Sequence, residues 1–259
     1  MNKKTRNILR DVYLSFMGSF AKPHKGIYIL GGHMSHMVNP SVNYMEELMC
    51  RLKKAGFCFI RFEKAVELIE KRCEPDKPYV AFSFDDGFSE CYGTICPVLE
   101  SYGINGMFFV NPGFIDGDED YVYHFTNVVM HNPGKRPMSW SVLLELLSRG
   151  HLIGAHTIDH YMTNSNNTEE LTHQIVDCKK IIDEKLGIDC QYFAWPFGRL
   201  DDTSMKAVDL ACNTYKYVFS LTNHRKYFSF NEKVINRRHF EPFWPFRHVM
   251  YFLCQSKSY

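Results

Sequence analysis

Val80-Ala-Phe-Ser-Phe-Asp-Asp-Gly87 reads as a β-strand of apolar and β-forming residues that breaks at a glycine. Two acids at the carboxyl end of such a strand stand at the mouth of an α/β core, where ligands usually bind. Side chains alternate along an extended chain, so Asp85 and Asp86 point differently and serve different purposes. Further along, His156-Thr-Ile-Asp-His160 places two histidines four residues apart after another strand-like run. One carboxylate and two imidazoles form a plausible three-ligand metal set with open positions for water and substrate. The other carboxylate is then free to act as a base.

The surrounding pattern alternates strands and helices, as an α/β fold does. Gly26–Leu30, Phe57–Phe62, Met107–Val110, His151–Ala155 and Cys190–Trp195 read as strands. Tyr44–Ala55, closed by Gly56, reads as a helix, as do Lys64–Arg72 and Trp140–Ser148. A longer helix begins at Thr168, its expected cap, and ends at Gly187, with Leu171, Ile175, Cys178 and Ile182 on one face. The polar, aromatic stretch Gly113–Pro137 reads as an irregular insertion suited to contacting substrate.

Three stretches in order resemble the polysaccharide deacetylases with a NodB homology domain (carbohydrate esterase family 4), over roughly Tyr79 to Phe240. Ser83-Phe-Asp-Asp-Gly87 is similar to the first family motif, His156-Thr157-Ile-Asp-His160 to the second, and Phe193-Ala-Trp-Pro-Phe-Gly198 to a variant of the third. The resemblance implies a distorted (β/α) barrel of about seven strands and a hydrolase that removes N-acetyl groups from an amino sugar. It implies Asp86, His156 and His160 as ligands of one divalent ion, zinc before cobalt, nickel, iron or manganese, and Asp85 as general base. It also assigns an oxyanion donor to the backbone N–H of Phe197, where tyrosine is usual. Trp195 and Pro196 become expected substrate contacts.

Two positions depart from the family pattern. The arginine that many members place two residues before the motif-three proline is here Ala194, and Val234-Ile-Asn-Arg-Arg-His239 offers a substitute, Arg237 in preference to Arg238. The late Leu-x-His motif that normally supplies a general acid has no clean copy. His239 is the first candidate for that acid, and His33, in Gly31-Gly-His-Met-Ser-His36, the second.

Length and composition fit one catalytic domain spanning 1–259. The 259 residues are 45% hydrophobic and 23% charged, with a formal net charge of +1, which gives no overall attraction to nucleic acid or anionic membrane. Nine cysteines form no C-x-x-C pair and read as thiols in a reducing compartment. Residues 1–25 form an extension in which Ile8, Val12, Phe16 and Phe20 recur every fourth residue. That spacing predicts an amphipathic helix docked on the body, with a membrane-surface helix or an export signal as alternatives. The working expectation is a cytoplasmic protein acting on an N-acetylated carbohydrate, with membrane contact open. Rival readings are a non-catalytic sugar-binding relative, an amidohydrolase of small cyclic amides or imides, and an iron oxygenase using the His-x-Glu of His239-Phe-Glu241.

Overall fold

The strand that leads into the two acids, Pro78–Phe84, lies within a curled, mostly parallel sheet whose two ends are joined by a single stretch of chain. The computed structural model describes residues 3–33, 43–222 and 225–259; the part of the Gly31–His36 stretch beyond His33 lies outside them. The strands are β1 (Gly26–Gly32), β2 (Cys58–Phe59), β3 (Pro78–Phe84), β4 (Gly106–Val110), β5 (Leu152–Ala155), β6 (Tyr192–Ala194), β7 (Tyr217–Ser220), β8 (Phe228–Ser229), β9 (Val234–Asn236) and β10 (Arg238–His239). Their order is β10-β1-β3-β4-β5-β6-β7-β9-β8, with the short β2 beside the first half of β3. β9 pairs with β7, and β10, one residue later, pairs with β1. Residues 234–239 therefore serve as the seventh stave and close the barrel, with Arg237 at the crossing.

Alternation along the strands separates two apolar layers. Ile27, Ile29, Ala81, Met107, Phe109, Ala194, Phe219 and Ile235 cluster inside the barrel, together with Phe62, Ala65, Val66 and Ile69 of the helix Phe62–Glu70. That helix begins at a residue the sequence pattern assigns to a strand, because Phe62 turns inward as a plug. The other face of the strands, including Val80, Phe82, Phe84, Phe193 and Trp195, packs beneath the outer helices. Burying these aromatics on folding stabilises the molecule by about 2 kcal/mol per large side chain.

The remaining elements follow from local chemistry. Trp140–Ser148 is a helix, as its pattern predicts, capped by Ser139. The long helix after the second histidine motif is capped by Asn167, not Thr168; the Asn167 carboxamide accepts from the amides of Glu169 and Glu170. It runs through Thr168–Leu171, a π-helical stretch over Thr172–Asp177, and Cys178–Leu186, ending at Gly187 in the left-handed conformation. All nine cysteines are free thiols.

The N-terminal helix forms over Lys3–Ser19, but it docks through the face opposite to the one expected. Ile8, Val12, Phe16 and Phe20 are 54–71% exposed, whereas Leu14 is buried. Contact with the helix Phe246–Leu253 combines an edge-to-face pair, Tyr13 on Tyr251 with ring centres 5.8 Å apart, with small and polar groups. The Ser15 hydroxyl bonds the His248 ring at 2.9 Å, and Gly18 lies so close to the Arg247 carbonyl that a Cβ there would sit 1.8 Å from its oxygen. Close backbone approach requires a small residue at Gly18, so the face that docks carries Gly18, Ser15 and Leu14 rather than the ridge of Ile8, Val12, Phe16 and Phe20.

Candidate active site

β3 delivers the two acids with opposite parity. Ala81, Ser83 and Asp85 follow the barrel-facing alternation, and Asp85 meets Arg237 where the sheet closes. The guanidinium donates from Nη1 to Asp85 Oδ1 at 2.7 Å and from Nη2 to Oδ2 at 2.9 Å, and also reaches Ser83 Oγ at 2.9 Å. Both side chains are buried, and the guanidinium lies 4.7 Å from the Phe109 ring centre. Gly31 makes room for it, since a Cβ there would stand 3.2 Å from Arg237 Nη1. Burial alone would raise the Asp85 pKa, but Arg237, with the bidentate geometry that favours the ionised form, holds it well below the carboxylate range.

Asp86 follows with a left-handed backbone, φ +70°, which turns its carboxylate toward the second motif. His156 Nε2 and His160 Nε2 both lie 3.5 Å from Asp86 Oδ1. Thr157 and His160 also have positive φ, 62° and 54°, as does Phe197 at 62°. Non-glycine residues in this region cost roughly 1–2 kcal/mol each, and they gather where the surrounding structure over-determines them. Asn111, at the end of β4, supplies part of that restraint by donating to the carbonyls of His156 and Thr157. Gln174, carried by the π-helical stretch, accepts from the amides of Ile158 and Asp159 at 3.1 Å. Asp159, between the two histidines, accepts from Tyr121 and Gln174.

The trio fits a metal ion on three counts. Its atoms are buried polar atoms without hydrogen-bond partners among the described residues, namely both Asp86 carboxylate oxygens and His156 Nε2. Ligand atoms about 2.1 Å from a tetrahedral centre stand roughly 3.4 Å apart, close to the separations seen here. The protonation states also suit ligation. The Nδ1–H of His156 donates to the Ala194 carbonyl at 2.8 Å, leaving the Nε2 lone pair aimed at Asp86. Burial lowers the pKa of His156 to about 4 and holds that of His160 well below the ordinary imidazole value, so both rings are neutral at ordinary pH. Burial, with the Asp85 and Glu241 charges adding to it, raises Asp86 to about 7 in the absence of a cation.

A second histidine group adjoins the first. Register carries β1 beside β3 so that Gly32 pairs with Phe84, and His33 follows opposite Asp85, with Nε2 3.9 Å from Asp85 Oδ2. Its Nδ1 and its backbone amide both meet Glu241 Oε1, at 3.3 and 3.2 Å. His239 Nε2 meets the same oxygen at 3.2 Å. Burial works against protonation of His33, yet the bond to Glu241 and the charges of Asp86, Asp85 and Glu241 outweigh it, raising the pKa to about 9. His239 goes the other way, lowered chiefly by burial. In the sequence Glu241 stands out only as part of a His-x-Glu alternative; its position between two histidines depends on barrel closure.

These groups open onto a cavity of about 520 Å³. Asp86, His33, His160, His239 and Glu241 line it from the barrel, Phe197 and Arg199 from the third motif, and Val129–Asn132 from the insertion after β4. Phe197 is 44% exposed and packs edge-on to His160 at 4.7 Å. Trp195 and Pro196, expected at the substrate, do not line the cavity. Pro196 is buried, and Trp195 packs edge-to-face on Phe193 beneath the outer helices. Strand parity explains the placement, because Trp195 continues the face of Phe193 rather than that of Ala194.

A family model described as polysaccharide deacetylase matches residues 72–215, more than half of the chain and inclusive of all three motifs. The chain belongs to the polysaccharide deacetylase family. YxkH of Bacillus subtilis (strain 168), a provisionally named polysaccharide deacetylase, is 24% identical over 154 residues, covering 60% of this family member and 49% of the relative. The chain thus spans about half the length of that curated relative. Among solved structures, the deacetylase PplD of Streptococcus pyogenes, determined with acetate, superposes with a TM-score of 0.68 at 20% identity, covering 90% of this chain and 99% of that one. IcaB from Ammonifex degensii gives 0.70 at 20% identity with the same coverage. At this identity the structures establish that the family member shares their α/β barrel. The double-sheet β architecture of an iron oxygenase is thereby set aside.

Proposed function

We propose that the protein is a metal-dependent hydrolase that removes N-acetyl groups from an amino sugar in a poly- or oligosaccharide or a glycolipid precursor. The observation that carries this reading is the pairing of a buried carboxylate held ionised by Arg237, Asp85, with the adjacent cluster of Asp86, His156 and His160, in which both Asp86 oxygens and His156 Nε2 have no hydrogen-bond partner. A divalent ion held by that trio, zinc in first place, would supply Lewis-acid polarisation of the acetamide carbonyl and acidify the attacking water. Asp85 takes the water's proton as general base, with Arg237 fixing its orientation and ionisation. The Phe197 backbone N–H donates to the developing oxyanion.

Protonation of the leaving amine falls to His33 rather than His239 in this proposal. His33 stands beside Asp85 and is anchored through Nδ1 on Glu241, a bond that raises its pKa. His239 is farther out and less basic, and orients Glu241. Without Trp195, the exposed aromatic face offered to a sugar ring is that of Phe197.

The deciding measurement is acetate release from N-acetylhexosamine oligosaccharides by zinc-reconstituted protein, beside Asp85→Asn. Loss of release in the variant with metal content unchanged is expected. Metal-loaded parent protein that releases no acetate but opens small cyclic amides would transfer the reading to an amidohydrolase. Binding of the sugars with neither reaction would make it a sugar-binding relative.

A further inference from the structure

Fifteen large apolar side chains are exposed among the described residues, and seven belong to the N-terminal helix and the residue that comes after it. Ile8, Val12, Phe16 and Phe20 form a ridge, flanked by Leu9, Tyr13 and Met17. The helix is held by its opposite face, through Leu14, Ser15 and Gly18, so the ridge is presented outward from a fixed mount. Phe16 and Phe20 pack edge-to-face on each other, 5.3 Å apart, rather than against the body.

Charge accompanies the ridge. Residues 3–25 contain Lys3, Lys4, Arg6, Arg10, Lys22 and Lys25 against a single acid, Asp11, which is engaged by Arg10 at 2.8 Å. We propose that this face is a docking surface for an anionic lipid bilayer, with the helix lying in the plane of the headgroups and the ridge entering the acyl boundary. An amphipathic helix with bulky apolar groups on one side and basic residues around them has the composition of an interfacial element. Among the described residues no helix is long and apolar enough to cross a membrane, so the contact is peripheral. A second copy of the chain fits the same face poorly, because pairing two ridges would bring two cationic segments together.

The docked side of the helix also adjoins the active site. Arg238 lines both the catalytic cavity and a groove of about 310 Å³ whose far side is formed by Arg10, Asp11 and Leu14 of the helix. The docking proposal itself requires no hydrolytic activity and stands apart from the deacetylase reading.

Flotation of the full chain with vesicles of phosphatidylcholine alone, and of phosphatidylcholine mixed with phosphatidylglycerol, tests it. Binding to the anionic vesicles, weakened by salt, is expected. Arg6→Gln or Lys22→Gln should each weaken it by roughly fivefold. Val12→Ser with Phe16→Ser should abolish it while leaving the circular dichroism and thermal unfolding unchanged. Failure of the parent chain to float with anionic vesicles would overturn the proposal, as would undiminished flotation of the double serine variant. A dimer in solution that the double variant converts to monomer would assign the ridge to a second copy instead.

Discussion

Arg237 and Asp85 neutralise each other in a place where neither charge could stand alone. Both are buried, and their two parallel hydrogen bonds supply the Coulombic compensation that water would otherwise give. Arg237→Ala should cost about 3–5 kcal/mol in urea unfolding, and adding Asp85→Asn to it should recover part of the loss. Arg237→Lys should fail to restore the parent stability, because one ammonium cannot reproduce the fork. Asp86 makes the opposite case. Its pKa, raised from an ordinary 3.8 to about 7 without a cation, means that an entering ion must displace a proton. Metal affinity measured calorimetrically should therefore rise about tenfold per pH unit up to roughly pH 7 and level off above it. A flat profile below neutrality would contradict the assigned protonation. With no ion bound, the protonated Asp86 favours the folded state fully below its unfolded pKa, and that contribution disappears as pH rises through about 7.

At the scale of single elements, the loop after β5 is a strained segment tied down at several points. Asn111→Ala removes two donors to the carbonyls of His156 and Thr157, residues of the ligand-bearing turn. Metal affinity should fall about 10–100-fold, the usual cost of losing an outer-shell partner, with circular dichroism unchanged. This residue marks the limit of what a sequence discloses. Asp85, Asp86, His156 and His160 are legible because each motif places its groups within a few residues. Arg237 is legible only through the gap at Ala194. Asn111 reads simply as the end of a strand, and its role requires knowing that β4 lies beside β5. His33 needs the β1–β3 register, and Glu241 a contact across 208 residues. The apolar period discloses the N-terminal helix, but period alone does not say which face meets the body. There the small residues decide.

For the molecule as a whole, the proposed metal trio links the end of β3 to the turn after β5, while Arg237 and Glu241 tie the start of the sheet to its end. A tightly bound ion should add stability by mass action, about 2.7 kcal/mol at a hundredfold excess over Kd. For a chain of this size, chelation should lower the thermal midpoint by roughly 5 to 10 °C, reversed by adding zinc back. An unchanged midpoint would mean that the trio holds no ion under those conditions.

The same closure has a consequence for synthesis on the ribosome. Asp85 emerges 152 residues ahead of the arginine that neutralises it, and His33 waits 208 residues for Glu241. Until that late stave arrives, the inner wall of the barrel has an open seam and a carboxylate that favours hydration over burial. The nascent chain therefore has a reason to stay loose at its future reaction centre. Under the proposed function, the chemistry becomes available in the same event that seals the seam, and a polypeptide interrupted before residue 237 would carry every proposed metal ligand and still lack the arginine that holds Asp85.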